Sequence, residues 1–165
     1  MKDSIKILDI IRGTTVDGPG FRTSIYFAGC RHECHGCHNP SSWDFEAGIP
    51  YTIDKLMQII EEEDFDVTLS GGDPLYHPKF VKELIERIHY SGHNVWLYTG
   101  FLWEEIIESA ELFDAAKEAD VIVDSPFILC LRDTDLLFRG SSNQRIIDVK
   151  KTVSHKDGSI ILWSR

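Results

Sequence analysis

Short apolar runs alternate with amphipathic segments along most of the chain. The runs are three to seven residues long and rich in branched and aromatic residues, a pattern that predicts strands. They lie at residues 5–11, 24–28, 67–70, 95–98 and 121–123. Repeated alternation of strand and helix implies a parallel sheet with right-handed crossovers.

Three segments between these runs carry apolar residues at helical spacing. Thr52 is placed to cap the first helix, Pro78 suits the first turn of the second, and Gly92 is placed to end it. The apolar stripes are Ile53, Leu56, Met57 and Ile60; Val81, Leu84, Ile85 and Ile88; and Trp103, Ile106, Ile107 and Ala110. After Asp124 the pattern weakens. Residues 138–148 read as a polar loop before a short strand, and residues 153–163 as a hairpin turning at Asp157 and Gly158.

Length sets the architecture that this pattern can form. A closed eight-stranded (β/α) barrel needs about 200 to 250 residues, and the chain has 165. We therefore predict an α/β fold in which a mostly parallel sheet forms a partial, open (β/α) barrel. Residues 1–165 are expected to form a single domain, with the chemistry at the carboxyl ends of the strands.

Composition and charge narrow the classes of function. The chain has 17 Lys and Arg against 27 Asp and Glu, a net charge of −10, which argues against a nucleic-acid surface. Its apolar runs are far shorter than the roughly 20 residues of a membrane span, and its start lacks the apolar segment of a signal peptide. Crowded cysteines that bind a metal as thiolates need a reducing compartment, so we expect a cytoplasmic protein.

Three cysteines lie within eight residues, at Cys30, Cys34 and Cys37, in what we call the cysteine loop (residues 30–37). Three thiolates without a fourth fit a [4Fe–4S] cluster that keeps one iron open for substrate. A zinc site is the alternative, because histidines at positions 32, 35 and 38 are interleaved with the cysteines. For His32 and His35 we favour exposed loop positions. Cys130 stands alone and is expected to be a small buried hydrophobe.

A second motif, Gly71-Gly72-Asp73-Pro74, also follows a predicted strand. Alone it is typical of an ordinary strand-to-helix turn. Together with the cysteine loop it resembles the radical S-adenosylmethionine superfamily. That resemblance implies S-adenosylmethionine bound at the open iron and cleaved reductively to a 5′-deoxyadenosyl radical. It places Gly71, Gly72 and Asp73 at the methionine moiety, where a glycine lets backbone approach closely.

The same resemblance assigns the adenine contacts to Gly36, Cys37 and His38. The superfamily often has an aromatic residue where this chain has Gly36. Thr99 is a further predicted cofactor contact, because it follows the third core strand. The remaining histidines, at positions 77, 89 and 93, lie near helix ends and are treated as surface residues.

Segments 17–23, 37–40, 98–101 and 139–145 resemble the family of activating proteins of anaerobic (class III) ribonucleoside-triphosphate reductase. The resemblance implies a glycyl radical installed on the large subunit of the reductase, with electrons from a low-potential donor such as flavodoxin or ferredoxin. Two alternatives stay open. One is an activase of another glycyl-radical enzyme or a small-molecule enzyme of the superfamily; the other is a non-catalytic zinc or iron–sulfur module.

Overall fold

A computed structural model describes residues 3–165 as an α/β protein. Its strands are β1 (Ser4–Thr14), β2 (Arg22–Phe27), β3 (Ile49–Thr52), β4 (Asp66–Gly71), β5 (Val95–Tyr98), β6 (Val121–Asp124) and β7 (Arg145–Asp148). Its helices are α1 (Ile53–Glu63), α2 (Pro78–Tyr90), α3 (Trp103–Glu108), α4 (Ala110–Ala116) and α5 (Val149–Ser154), with short 3₁₀ turns at Pro40–Trp43, Pro74–Tyr76 and Leu129–Leu131.

Within residues 3–165 the strands form a seven-stranded sheet in the order β3-β1-β2-β4-β5-β6-β7. The four neighbours β2, β4, β5 and β6 pair in parallel. β1 pairs antiparallel with both β2 and β3, and β7 pairs antiparallel with β6. β3 therefore points the same way as the four central strands. The prediction of an α/β fold with a mostly parallel, open sheet is confirmed, and the sequence pattern had not indicated β3 as a strand.

The two faces of the sheet differ in what covers them. Helices α1 to α4 pack on one, the helix-covered face, with fully buried apolar side chains such as Ile25, Leu69, Leu97 and Ile122 beneath them. The opposite side, the inner face, carries Arg22, Thr68, Trp96 and Tyr98. Phe138 and Trp163 from the C-terminal segment pack edge-on against the Trp96 ring, at centroid distances of 5.4 and 5.0 Å.

The first two predicted helices have the predicted ends. The Thr52 hydroxyl accepts a hydrogen bond from the Lys55 backbone N–H at 3.3 Å, as an N-terminal cap does. Pro78 begins α2, and the chain leaves the helix after Tyr90 through Gly92, whose φ of +91° favours glycine. In both cases local chemistry and the buried stripe agree.

The prediction of one helix through Trp103, Ile106, Ile107 and Ala110 is wrong. Ser109 is extended and its hydroxyl accepts from the Leu112 N–H at 3.3 Å, so it ends α3 and caps α4. Trp103 and Ile106 are buried as expected, whereas Ile107 and Ala110 are exposed. A serine that competes for backbone donors broke a stripe that spacing alone had joined.

The predicted hairpin over residues 153–163 is also wrong. The Asp148 carboxylate accepts from the Lys151 N–H at 3.0 Å and starts α5, which ends at Ser154. The turn at Asp157 and Gly158 is present, but beyond it only Leu162 forms an isolated bridge, to Ile147. That residues 1–165 form a single domain stays a prediction, supported by one sheet that contains strands from both halves of the chain. Among residues 3–165, we find no helix with the length and apolar character needed to span a membrane.

Candidate functional site

The carboxyl ends of the parallel strands open onto a cavity of about 370 Å³. The cysteine loop forms one wall, and the ends of β4 and β5, at residues 70–72 and 98–100, form another. The segment after β6 closes a third side through Ser125, Phe127 and residues 136–140. This is the edge of a parallel sheet where loops converge and sites are built.

The cysteine loop follows β2 and is held by backbone hydrogen bonds. The Gly29 N–H donates to the Ser42 carbonyl at 2.8 Å, and the Cys30 N–H donates to the Trp43 carbonyl at 3.3 Å. The Cys37 N–H donates to the Cys34 carbonyl at 3.0 Å. The three cysteines are half-buried and all line the cavity. Their thiols therefore face one common space, as a single cluster requires.

Burial disfavours the charged form of the Cys30 and Cys34 thiols. It raises the pKa of Cys30 to about 11. It also raises the pKa of Cys34, although the Phe127 backbone N–H opposes that shift. Thiolates are the metal-binding form, so these cysteines need a cationic group in the cavity to lose their protons. Iron bound between them would supply that charge.

A fourth cysteine is missing from the described cavity lining, although Asp17, His32 and His38 lie in it. The expectation that Cys130 is buried is wrong: it is exposed, on the 3₁₀ turn Leu129–Leu131, and lies outside the cavity lining. Within the described residues, no three His, Cys, Asp or Glu side chains are grouped closely enough to hold one metal ion. This finding decides neither for a [4Fe–4S] cluster nor for zinc, so the three cysteine ligands stay a prediction.

Gly71 and Gly72 are required by close packing of backbone. A Cβ at Gly71, whose φ is +103°, would lie 2.3 Å from the Phe27 nitrogen. A Cβ at Gly72 would lie 2.5 Å from the Gly29 carbonyl oxygen. Both glycines line the cavity. Gly71 lets the end of β4 pack against the β2 backbone, and Gly72 lets the chain pass close to Gly29, the residue before the cysteine loop.

Asp73 and Thr99, two predicted cofactor contacts, are bonded to each other. The Thr99 hydroxyl donates to Oδ2 of Asp73 at 2.9 Å, and Thr99 lines the cavity. Asp73 is fully buried and lies outside the cavity lining. The exposed position expected for His32 is wrong, because its Nε2 lies 2.7 Å from the same Asp73 oxygen. His35 is exposed as predicted.

Of the predicted adenine contacts, Cys37 and His38 line the cavity and Gly36 does not. The His38 ring lies nearly parallel to Phe127, with 6.4 Å between centroids. Gly36 has a φ of +76°, and a Cβ there would lie 2.8 Å from the Leu129 Cδ1. Backbone conformation therefore accounts for a glycine at the position before Cys37.

The other histidines that were predicted to lie on the surface are only partly exposed. Each is half-buried, and its Nε2 lies within hydrogen-bonding distance of an acceptor. His77 contacts the Ala28 carbonyl at 3.2 Å, His89 the Asp120 carboxylate at 2.8 Å, and His93 the Asp64 carboxylate at 2.9 Å. All three lie outside the cavity lining.

Sequence reasoning missed four polar residues of the cavity wall: Asp17, Tyr98, Arg139 and Gln144. The Tyr98 hydroxyl donates to the Phe138 carbonyl at 2.8 Å. Arg139 Nη1 donates to the Gln144 carbonyl at 2.9 Å, while its buried Nε finds no hydrogen-bond partner among residues 3–165. A signal existed, because segments 17–23, 98–101 and 139–145 carried the family resemblance, and of these residues only Thr99 had been assigned to the site.

Comparison with known proteins agrees with this geometry. The family model described as a 4Fe-4S single cluster domain matches residues 16–147. The anaerobic ribonucleoside-triphosphate reductase-activating protein of Salmonella typhi is 38% identical over 140 residues, which cover 78% of this chain and 89% of the relative. The protein of that name from Escherichia coli (strain K12) is 36% identical with the same coverage. That of Enterobacteria phage T4 is 32% identical over 139 residues, covering 79% and 86%.

Proposed function

The chain belongs to the family of anaerobic ribonucleoside-triphosphate reductase-activating proteins, and we propose that it generates a glycyl radical on the large subunit of such a reductase. The observation that carries the proposal is the cavity wall. Three cysteines and the glycines at the end of β4 line it together, and a fourth cysteine is absent from its described lining.

We assign Cys30, Cys34 and Cys37 as the protein ligands of a [4Fe–4S] cluster. Their half-buried thiols on a single short loop support this assignment. A three-ligand cluster leaves one iron open toward the cavity, where S-adenosylmethionine would bind. When both groups are bound, electron transfer from the cluster would cleave S-adenosylmethionine and yield a 5′-deoxyadenosyl radical, which can abstract a hydrogen atom.

The cavity fits a cofactor of that size, since small-molecule sites span about 300 to 1,000 Å³ and this one has about 370 Å³. Gly71, Gly72 and Thr99 would border the methionine moiety, with Cys37 and His38 on the adenine side. The unpartnered Arg139 Nε on the opposite wall adds an unused donor. For Gly36 and Asp73, which lie off the wall, we propose supporting roles.

The protein's own contribution is to position these groups and exclude water from them. Trp96, Phe138 and Trp163 pack together on the inner face, and Phe138 also lines the cavity. The sheet itself stays open between β3 and β7. This supports a partial barrel of the radical S-adenosylmethionine type, in which the open side admits a polypeptide loop that carries the target glycine.

Electrons would come from a low-potential donor such as flavodoxin or ferredoxin, and the proposed compartment is the cytoplasm, where thiolates stay reduced. The net charge of −10 supports a protein partner over a nucleic acid.

The test is anaerobic mixing of the reconstituted protein with the reductase, S-adenosylmethionine and a low-potential reductant. We expect an EPR doublet on the reductase, because a glycyl radical keeps one α-hydrogen. Deuterium placed on the target glycine should appear in 5′-deoxyadenosine. The Cys130→Ala variant serves as the matched control and should behave as the native protein.

If 5′-deoxyadenosine forms without deuterium and the reductase shows no doublet, the glycyl-radical role fails while cofactor cleavage stands. Deuterium transfer to 5′-deoxyadenosine from the glycine of another glycyl-radical enzyme, with none from the reductase, would favour the alternative activase.

A further inference from the structure

His32 connects the cysteine loop to the end of β4. Its Nε2 lies 2.7 Å from Oδ2 of Asp73, and its side chain is only 16% exposed. The ring packs edge-on against Phe101, with 4.6 Å between centroids, and is tilted against Tyr76 at 5.4 Å. A residue of the cysteine loop is thus fixed by contacts on three sides.

The segment just after β5 leaves space for the His32 ring. A Cβ at Gly100 would lie 2.5 Å from His32 Cδ2. The end of β5 therefore fits against the histidine only because residue 100 is a glycine. This close contact between Gly100 and the His32 ring is separate from the hydrogen bond between His32 and Asp73. Both contacts require the same position of the cysteine loop against the ends of β4 and β5.

The Asp73 carboxylate is enclosed by protein donors. Besides His32, its Oδ2 accepts from the Thr99 hydroxyl and the Gly100 N–H, both at 2.9 Å. Its Oδ1 accepts from the Leu75 N–H at 2.9 Å. The residue is 0% exposed, and a carboxylate offers about four acceptor sites. His32, Thr99 and Gly100 occupy Oδ2 and Leu75 occupies Oδ1, so a ligand ammonium would have to compete with these donors for the carboxylate.

We propose that His32 is a positioning residue whose hydrogen bond to Asp73 holds the cysteine loop against the ends of β4 and β5. Asp73 then acts on the cofactor through the loop rather than by contact with the methionine ammonium. The hydrogen bond fixes where the three thiols face Gly71 and Gly72 across the cavity. The proposal rests on the proposed function only for the identity of the group that the cysteines hold.

Amide hydrogen exchange of the metal-free protein tests the position of the loop without any cofactor. In His32→Ala, the amides of residues 30–37 should exchange about tenfold faster, as expected when a hydrogen bond to a charged group is lost. His32→Gln keeps a donor at similar reach and should restore protection. His35→Ala is the matched control, because His35 is an exposed histidine of the same loop.

Cofactor affinity gives the second measurement, by calorimetry on the reconstituted protein. His32→Ala should bind S-adenosylmethionine about tenfold more weakly, whereas His32→Gln and His35→Ala should stay within about twofold of the native protein. Two results would overturn the proposal: loop exchange in His32→Ala that equals that of His35→Ala, or tighter cofactor binding in His32→Ala, which would mean that His32 blocks Asp73. If the native protein assembles no cluster, the proposed function fails, and the exchange experiment still decides the role of His32.

Discussion

The two faces of the sheet are built from different chemistry. The helix-covered face is mainly apolar along the central strands: Ile25, Leu69, Leu97 and Ile122 are fully or almost fully buried, and Thr23 and Asp124 are its buried polar exceptions. The inner face uses polar side chains that bond to one another. Arg22, itself 0% exposed, donates through Nε to the Thr68 hydroxyl at 2.8 Å.

This difference separates what determines the fold from what determines the site. Apolar burial is non-directional, so the helix-covered face needs only hydrophobic residues at the right period. A hydrogen bond needs a partner at a defined distance and angle. The Thr68 hydroxyl, for example, donates to the Asp17 carbonyl at 2.7 Å and so fixes a cavity-lining loop from the inner face. We therefore expect substitutions on the two faces to fail in different ways.

The largest expected effect separates chemistry from folding. Cys34→Ala should lose the cluster, because the cavity lining offers no substitute thiol. The metal-free variant should unfold within about 0.5 kcal/mol of the native protein, as is usual away from the core. Iron and sulfide content after anaerobic reconstitution, together with urea unfolding of the metal-free protein, measure the two quantities. Cys130→Ala should keep both; loss of iron in Cys130→Ala with retention in Cys34→Ala would reverse the ligand assignment.

The helix-covered face should show the opposite behaviour. Leu97→Ala removes a side chain that is 0% exposed and should lower the free energy of unfolding by about 2 to 5 kcal/mol. Urea unfolding measures this loss. Ile107→Ala, at a position 52% exposed, is the control and should change stability by less than about 0.5 kcal/mol. Equal losses at both positions would show that α3 packs on the sheet with the face that includes Ile107.

The helix-covered face was also the part that the sequence predicted well. The apolar runs and the helical spacing of apolar residues predicted the parallel core. Thr52 and Pro78 predicted where two of the helices start. Errors arose where one polar side chain competed for backbone donors. Ser109 split a predicted helix, and Asp148 started α5 where a hairpin was expected.

The site was predictable only where a motif carried it. The spacing of the three cysteines identified one wall, and the glycines at 71 and 72 identified the other. The contact between His32 and Asp73 was not predictable, because these two residues are 41 residues apart in sequence and meet only in the folded protein. Tyr98 was assigned to a strand, but its hydroxyl contact with residue 138 depends on how the C-terminal segment folds over the inner face.

Gly72 follows the last residue of β4 and lines the cavity. The superfamily resemblance predicts that a side chain there weakens S-adenosylmethionine binding and leaves cluster content near normal. The structure predicts both losses, since a Cβ would lie 2.5 Å from the Gly29 oxygen and push on the cysteine loop. In Gly72→Ala we expect cofactor affinity to fall about tenfold, from strain of the size that overpacking produces.

Calorimetry measures the affinity of Gly72→Ala, and iron content measures the cluster. Gly92→Ala is the comparison variant: no described atom lies within 4 Å of its added Cβ, and its φ of +91° strains only α2. That variant should lose stability and keep full cluster content. Normal iron content in Gly72→Ala together with weakened binding would assign the glycine to the cofactor alone.

The smallest expected effect tests a single hydrogen bond of the inner face. Tyr98→Phe removes the hydroxyl that donates to the Phe138 carbonyl at 2.8 Å and keeps the ring in place. An unpaired buried acceptor costs about 1 kcal/mol or slightly more, so the free energy of unfolding should fall by that amount. Residues 136 and 138–140 form part of the cavity wall, so cofactor affinity should also fall, by a factor of about two to five.

Tyr90→Phe is the control, at a position 96% exposed. It removes the same hydroxyl where water can replace the hydrogen bond, so it should change neither stability nor affinity. Tyr98→Phe could instead lose stability without losing cofactor affinity. The inner face at residue 98 would then stabilise the fold, as the helix-covered face does, and would not contribute to cofactor binding.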